Sequence, residues 1–230
     1  MLRKTLGRLR RALLGIRPGD LELSDLPDLL KKDDPVILDI GCNEGDHTSQ
    51  FLSLFPRSRV FAFEPDPRAI ERFKEKIKDP RAALYEYAIA DRDGEAAFNM
   101  SSGKPPGGWP QEWDLSGSLY EPKTHLEEFP WCAFENSIVV PVKRLDTWLS
   151  AEGIEQIDLI WADTQGAEMD LIRGGMKTLE RTRYFYTEYS NKELFKGQLN
   201  LRELLRMIPD YSVLTRYEQD VLLKNTTISL

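Results

Sequence analysis

From residue 35 onward, short apolar runs alternate with stretches whose apolar residues recur every three or four positions. This is the pattern of βαβ units and therefore of a parallel sheet wound with helices on both faces. Pro35 opens it, and residues 36–40 form a nearly continuous apolar run, as expected of a strand covered on both sides. Residues 46–55 follow as a helix with Phe51, Leu52, Leu54 and Phe55 on its buried side, and 60–63 read as the second strand. Asp66 is placed to cap a helix whose first residue is Pro67 and whose inner side carries Ile70, Phe73 and Ile77. Residues 83–87, running into 88–91, give a third strand, and Asp93-Gly94 turns the chain into another near 95–100. After an interruption the rhythm resumes: strand 138–142, a short helix around 145–149, strand 157–162, a helix from near Gly166, and strand 184–187. Asn200 and Glu203 start a helix over 201–208 in capping-box fashion, and 211–214 with 220–224 form an antiparallel pair that closes the sheet.

The interruption spans 101–137. It holds Pro105, Pro106, Gly107, Gly108, Gly117 and the tryptophans Trp109, Trp113 and Trp131, without a sustained period. An irregular insertion of this length in a compact domain reads as a lid or binding loop. The tryptophans either stack on an acceptor ring or anchor the loop. Residues 1–17 stand apart from the domain, 18–230. Leu2, Leu6, Leu9, Leu13 and Ile16 give an amphipathic helix whose other side carries Arg3, Lys4, Arg8, Arg10, Arg11 and Arg17. Such an arm either packs on the domain or makes weak contact with an anionic membrane surface.

Charge and cysteine content narrow the classes. The net charge of the 230 residues is -7, and because the arm is +6 the remainder carries -13, which repels nucleic-acid phosphates. No apolar run approaches the roughly 20 residues of a membrane-spanning helix. Cys42 and Cys132 are far apart with no histidine cluster nearby, so neither a disulfide framework nor a zinc site is indicated and no metal ligands are assigned. A cytoplasmic location fits, with the arm able to rest on the inner face of the membrane.

The chemistry concentrates at Asp39-Ile40-Gly41-Cys42-Asn43-Glu44-Gly45, between the first strand and the first helix, where open α/β sheets bind ligands. A dinucleotide loop needs G-x-G-x-x-G to seat a pyrophosphate on the helix N-terminus, and here Asn43 and Asp46 replace the second and third glycines. An acid at Asp46, with Asp39 behind it, repels pyrophosphate and suits a cationic ligand. S-adenosylmethionine is one, through its sulfonium and ammonium. Glu64, nineteen residues past Gly45 at the end of the second strand, can accept both ribose hydroxyl protons.

Four segments in order, 36–51, Phe63-Glu64-Pro65-Asp66-Pro67, Val142-Lys143-Arg144-Leu145-Asp146 and 158–168 with its Asp163-Thr164-Gln165-Gly166-Ala167-Glu168 core, resemble the FkbM-type methyltransferases over about residues 35–190. Cys42, where a small alanine is usual, and Gln165, where glutamate is common, depart from the pattern. The resemblance implies a class I, Rossmann-like fold: a doubly wound, mostly parallel seven-stranded sheet with an antiparallel last strand. It also implies S-adenosylmethionine as methyl donor and a hydroxyl acceptor on a sugar, glycolipid or polyketide-type product. It places Gly41, Cys42, Asn43, Gly45 and Thr48, above Asp39, around the methionine part, Glu64 at the ribose, and the loop with Ala88, Ala90 and Asp91 at the adenine. Asp163 faces the sulfonium or the acceptor.

Methyl transfer from a sulfonium chiefly requires alignment and exclusion of water, but a hydroxyl acceptor gains from a base or a metal ion. Asp163 and Glu188, both ending strands at the cofactor edge, are candidates to activate the hydroxyl or share a divalent cation, and His125 can reach the acceptor if the insertion closes. Two other readings stay open: an inert methyltransferase-like binding domain, and a nicotinamide-dependent dehydrogenase. The acceptor's identity and the oligomeric state are not encoded in any motif.

Overall fold

The computed structural model describes residues 19–108 and 111–228. The basic arm and Trp109 lie outside the described residues. After a 3₁₀ turn at Leu23–Asp25, α1 (Leu26–Leu30) leads into β1 (Val36–Ile40), which is buried along its whole length. The chain continues through α2 (Asp46–Leu54), β2 (Arg59–Phe63), α3 (Pro67–Lys76), β3 (Ala82–Tyr85), β4 (Ala88–Ile89) and β5 (Gly94–Gly103). It then forms α4 (His125–Glu128), β6 (Cys132–Lys143), α5 (Leu145–Glu152), β7 (Ile157–Ala162), α6 (Glu168–Gly174) and α7 (Met176–Glu180). The last elements are β8 (Thr182–Glu188), α8 (Leu201–Met207), β9 (Tyr211–Arg216) and β10 (Asp220–Asn225).

The main sheet has seven strands in the order β3-β2-β1-β7-β8-β10-β9. Parallel pairing runs from β3 to β8, and only β10 opposes its neighbours, so the doubly wound α/β architecture with an antiparallel strand near one edge is the observed one. Alternation along the strands divides the core. Ile37, Val60, Leu159, Trp161 and Tyr184 pack on one face with Leu26 and Leu30 of α1 and Phe51 and Leu52 of α2. Leu38, Ile160 and Phe185 pack on the other with Trp148, Leu171, Ile172 and Leu204. Each such side chain removed from water contributes about 1.5–3 kcal/mol, which fixes the register.

Helix starts follow the local chemistry. The Asp66 side chain accepts from the Arg68 N–H before Pro67, and Asn200 and Glu203 close a reciprocal capping box. The reading of 101–137 as irregular needs correction. β5 continues to Gly103 and β6 starts at Cys132, paired antiparallel, so regular structure enters the insertion from both sides. With β4 they form a separate three-stranded sheet, order β4-β6-β5, which carries the insertion above the C-terminal edge of the main sheet. Within the insertion Trp113 and Trp131 pack edge to face at 5.0 Å, and the Trp113 indole N–H donates to Ser116 Oγ, so these two rings anchor the loop. No helix among the described residues is long and apolar enough to cross a membrane.

Candidate active site

The loop after β1 is bent by three consecutive alternate residues with positive φ, Gly41 at 80°, Asn43 at 46° and Gly45 at 83°. At Gly41 the reason is steric as well as conformational: a Cβ there would lie 1.9 Å from the Asp163 carbonyl oxygen. The Gly41 and Cys42 N–H groups both donate to the Phe63 carbonyl, which ties the loop to the end of β2. Glu64, directly after β2, accepts from the Asn43 N–H through Oε2 and the Asp66 N–H through Oε1, each at 2.8 Å. Its carboxyl is thereby held flat against the loop. Burial, offset in part by those two hydrogen bonds, pushes its pKa up to about 8.

A cavity of about 340 Å3 lies over this loop. Gly41, Cys42, Asn43, Glu44, Asp46 and His47 form one end, Glu64 and Pro65 its side, and Tyr87, Ala88, Ile89 and Phe98 the apolar end. The insertion closes it with Asp114, Leu115, Gly117 and Leu119, while Asp163, Thr164 and Gln165 border the remaining side. No lysine or arginine is among these lining residues. Asp114 was not legible in the sequence as a site residue. Its side chain is 2% exposed, Oδ2 is held by Arg72, Oδ1 has no partner, and Arg72 also pairs with Glu44 of the loop at 2.9 Å.

The sequence-predicted residues therefore divide. Gly41, Cys42, Asn43, Glu64, Ala88 and Asp163 line the cavity. Asp39 and Thr48 lie beneath it, the Thr48 hydroxyl donating to Asp39 Oδ2 at 2.6 Å, and Gly45 sits against the Phe73 ring. Ala90 is buried with its N–H bonded to the Lys143 carbonyl, and Asp91 pairs with Arg92 outside the cavity. His125 does not reach the cavity: it is 2% exposed among Phe129, Phe134 and Phe195, and burial lowers its pKa.

Asp163 and Glu188 do come together. Gln165, itself at φ 49°, donates from Nε2 to Asp163 Oδ1 at 2.6 Å and to Glu188 Oε2 at 3.4 Å. Burial raises both carboxyl pKa values; for Glu188 the charges of Asp163 and Asp220 push further, whereas for Asp163 the Gln165 hydrogen bond and the charge of His47 pull back. Glu168 supports the loop from below, accepting from Thr164 Oγ1 and the Gly166 N–H, and is pushed up to about 7 by burial. Among the described residues no group of three or more histidine, cysteine or acidic side chains is arranged to hold a metal ion.

The sequence model for the methyltransferase FkbM domain matches residues 39–212. The chain is also 48% identical over 229 residues, 96% of its length and 93% of the relative's, to the 2-O-methyltransferase NoeI of Sinorhizobium fredii. The chain belongs to the FkbM methyltransferase family. A more distant relative is methyltransferase 1 of Beauveria bassiana, 24% identical over 146 residues covering 62% of this chain and 59% of that one. Among solved structures, the FkbM methyltransferase of Methylobacillus flagellatus shares the fold with a TM-score of 0.52 at 14% identity, over 83% of this chain and 43% of that chain. This FkbM methyltransferase uses S-adenosylmethionine as its methyl donor.

The cavity fits that donor. Its lining carries the carboxyl groups of Glu44, Asp46, Glu64, Asp114 and Asp163 and no lysine or arginine, which suits a sulfonium and an ammonium, and Asp114 supplies a buried carboxylate oxygen, Oδ1, without a partner. Glu64 spends only one hydrogen bond per oxygen on the protein, which leaves acceptor capacity for a diol.

Proposed function

We propose that this FkbM methyltransferase methylates a hydroxyl on a small-molecule acceptor of the sugar type, with Asp163 accepting the hydroxyl proton. The observation that carries the reading is the position of Asp163: its residue borders the cofactor cavity and also a second cavity on the α2 face of the sheet. The printed activity of NoeI, a 2-O-methyltransferase, supports oxygen as the methylated atom.

Each group has its task. Gly41, Cys42 and Asn43 receive the methionine part, Glu64 accepts from the ribose hydroxyls, and Ala88 with Phe98 and Leu119 encloses the adenine. When bound, S-adenosylmethionine supplies a methyl group on a sulfonium, a good leaving group. The protein therefore needs mainly to align the acceptor oxygen with that methyl and keep water out. Burial raises the basicity of the Asp163 carboxylate, which suits it to take a proton from a weakly acidic hydroxyl, and Gln165 holds it in place. Glu188, linked through the same amide, orients the acceptor.

The experiment is methyl transfer from labelled S-adenosylmethionine to a panel of mono- and oligosaccharides, comparing wild type with Asp163→Asn. Label in a sugar hydroxyl, falling at least about 100-fold in the variant while cofactor affinity changes little, is the expected result. Label on nitrogen or carbon, or full activity in Asp163→Asn, overturns the assignment.

A further inference from the structure

The second cavity encloses about 700 Å3 beside the first. Its floor is formed by the C-terminal ends of β7 and β8 and the start of the antiparallel β10. Asp163 follows β7, Glu188 ends β8, and Asp220 opens β10 directly opposite Glu188, so their side chains form one row across the sheet. One step back on the same face, Trp161 and Tyr186 stack at 4.0 Å. Asp20 and Glu22 stand on the facing wall, Gly19–Ser24, and α2 contributes His47 and Gln50. Among the described residues that line it there are five carboxyl groups and no lysine or arginine.

Hydroxyl groups and phosphates ask opposite things of such a wall. A phosphate needs guanidinium, ammonium or several N–H donors to replace its water, and like charge opposite it is strongly unfavourable. A sugar hydroxyl donates to a carboxylate and accepts from a protonated carboxyl. Both partners are at hand: burial and then the charges of Asp20 and Asp163 push Asp220 up to about 8, and it shares a hydrogen bond with Asp20.

We propose that this cavity admits the acceptor only as a phosphate-free glycosyl unit, and that nucleoside diphosphate sugars are rejected. The reaction that supplies the substrate is then a glycosyl transfer, which has already expelled the nucleoside diphosphate before methylation takes place. The inference rests on the sugar-hydroxyl reading above and adds to it the state of the sugar.

The test offers the full-length protein the same sugars in two forms, as methyl glycosides and as nucleoside diphosphate esters, with labelled S-adenosylmethionine. The expected outcome is a kcat/KM at least about tenfold higher for the glycosides. Gln50 and Gln219 are exposed at the mouth, so Gln50→Arg/Gln219→Arg adds cations without disturbing the buried row. That variant is expected to narrow the preference at least about threefold, with S-adenosylhomocysteine affinity unchanged. Nucleoside diphosphate sugars used as well as the glycosides, or a preference indifferent to the added arginines, overturns this inference and leaves the hydroxyl reading standing. No label in any sugar, with the cofactor still bound, overturns both.

Discussion

Gln165 and Asp163 are joined by a 2.6 Å hydrogen bond, and because Asp163 is a buried carboxylate this amide is its main polar support. The same amide reaches Glu188 at 3.4 Å, so a neutral residue separates two carboxyls that a glutamate at position 165 would crowd further.

Removing that amide therefore changes the basicity of Asp163. In Gln165→Leu the hydrogen bond that lowers the Asp163 pKa is gone, so its pKa rises and the acid limb of the kcat/KM profile moves to higher pH. At neutral pH the rate is expected to fall about tenfold or more. A pH–rate profile of wild type and variant measures the displacement, and superimposable limbs would exclude Asp163 as the base.

Glu64 gives a binding prediction. Glu64→Ala deletes the carboxylate proposed to accept from the ribose and leaves the Asn43 and Asp66 N–H groups without their acceptor, so cofactor affinity should weaken by roughly 1.5–3 kcal/mol. Titration calorimetry with S-adenosylhomocysteine reads this directly, and an unaltered Kd contradicts the ribose assignment.

Protonation of the unliganded protein follows from the same burial. Glu64 and Asp220 are pushed up to about 8 and Glu168 to about 7, above the usual carboxylate range. The folded state thus binds more protons than the unfolded chain between these values and about 4.5, and ∂ΔG/∂pH is negative there. Stability from these groups is full at the acidic end of that window and declines as pH rises to about 8. Melting curves of the cofactor-free protein should show Tm falling over this interval, with a shallower slope in Glu64→Gln; a Tm rising from pH 5 to 8 contradicts it.

Arg72 couples the insertion to the glycine loop. Arg72→Ala leaves Asp114 buried with neither oxygen paired and leaves Glu44 with Lys76 as its remaining ion-pair partner, which should cost about 1–3 kcal/mol of stability. Cofactor affinity should drop with it, because Asp114, Leu115, Gly117 and Leu119 close the cavity. Denaturant unfolding and calorimetry on Arg72→Ala and Arg72→Lys, the latter recovering part of each loss, check the link.

What could be read from the sequence was local. The β1 run, the Gly41-to-Gly45 bend, Glu64 at the end of β2 and the Asn200 cap are each specified within a few residues, and they stand where periodicity and turn chemistry put them. What was hidden was long-range. His125 is enclosed by Phe134 and Phe195, residues whose arrival around it no local pattern announces. β5 and β6 pair across the whole insertion, so their length was invisible to a short-window reading. Asp114 gains its place only through Arg72, and the second cavity combines Asp20 with Asp163, Glu188 and Asp220 from distant strands.

The tightness at Gly41 reaches beyond its own bend. With no room for even one methyl group between that α-carbon and the Asp163 carbonyl, the glycine loop and the segment after β7 meet backbone to backbone. Any side chain at position 41 would push the two apart, so the distance from the loop to Asp163 is set by main-chain contact.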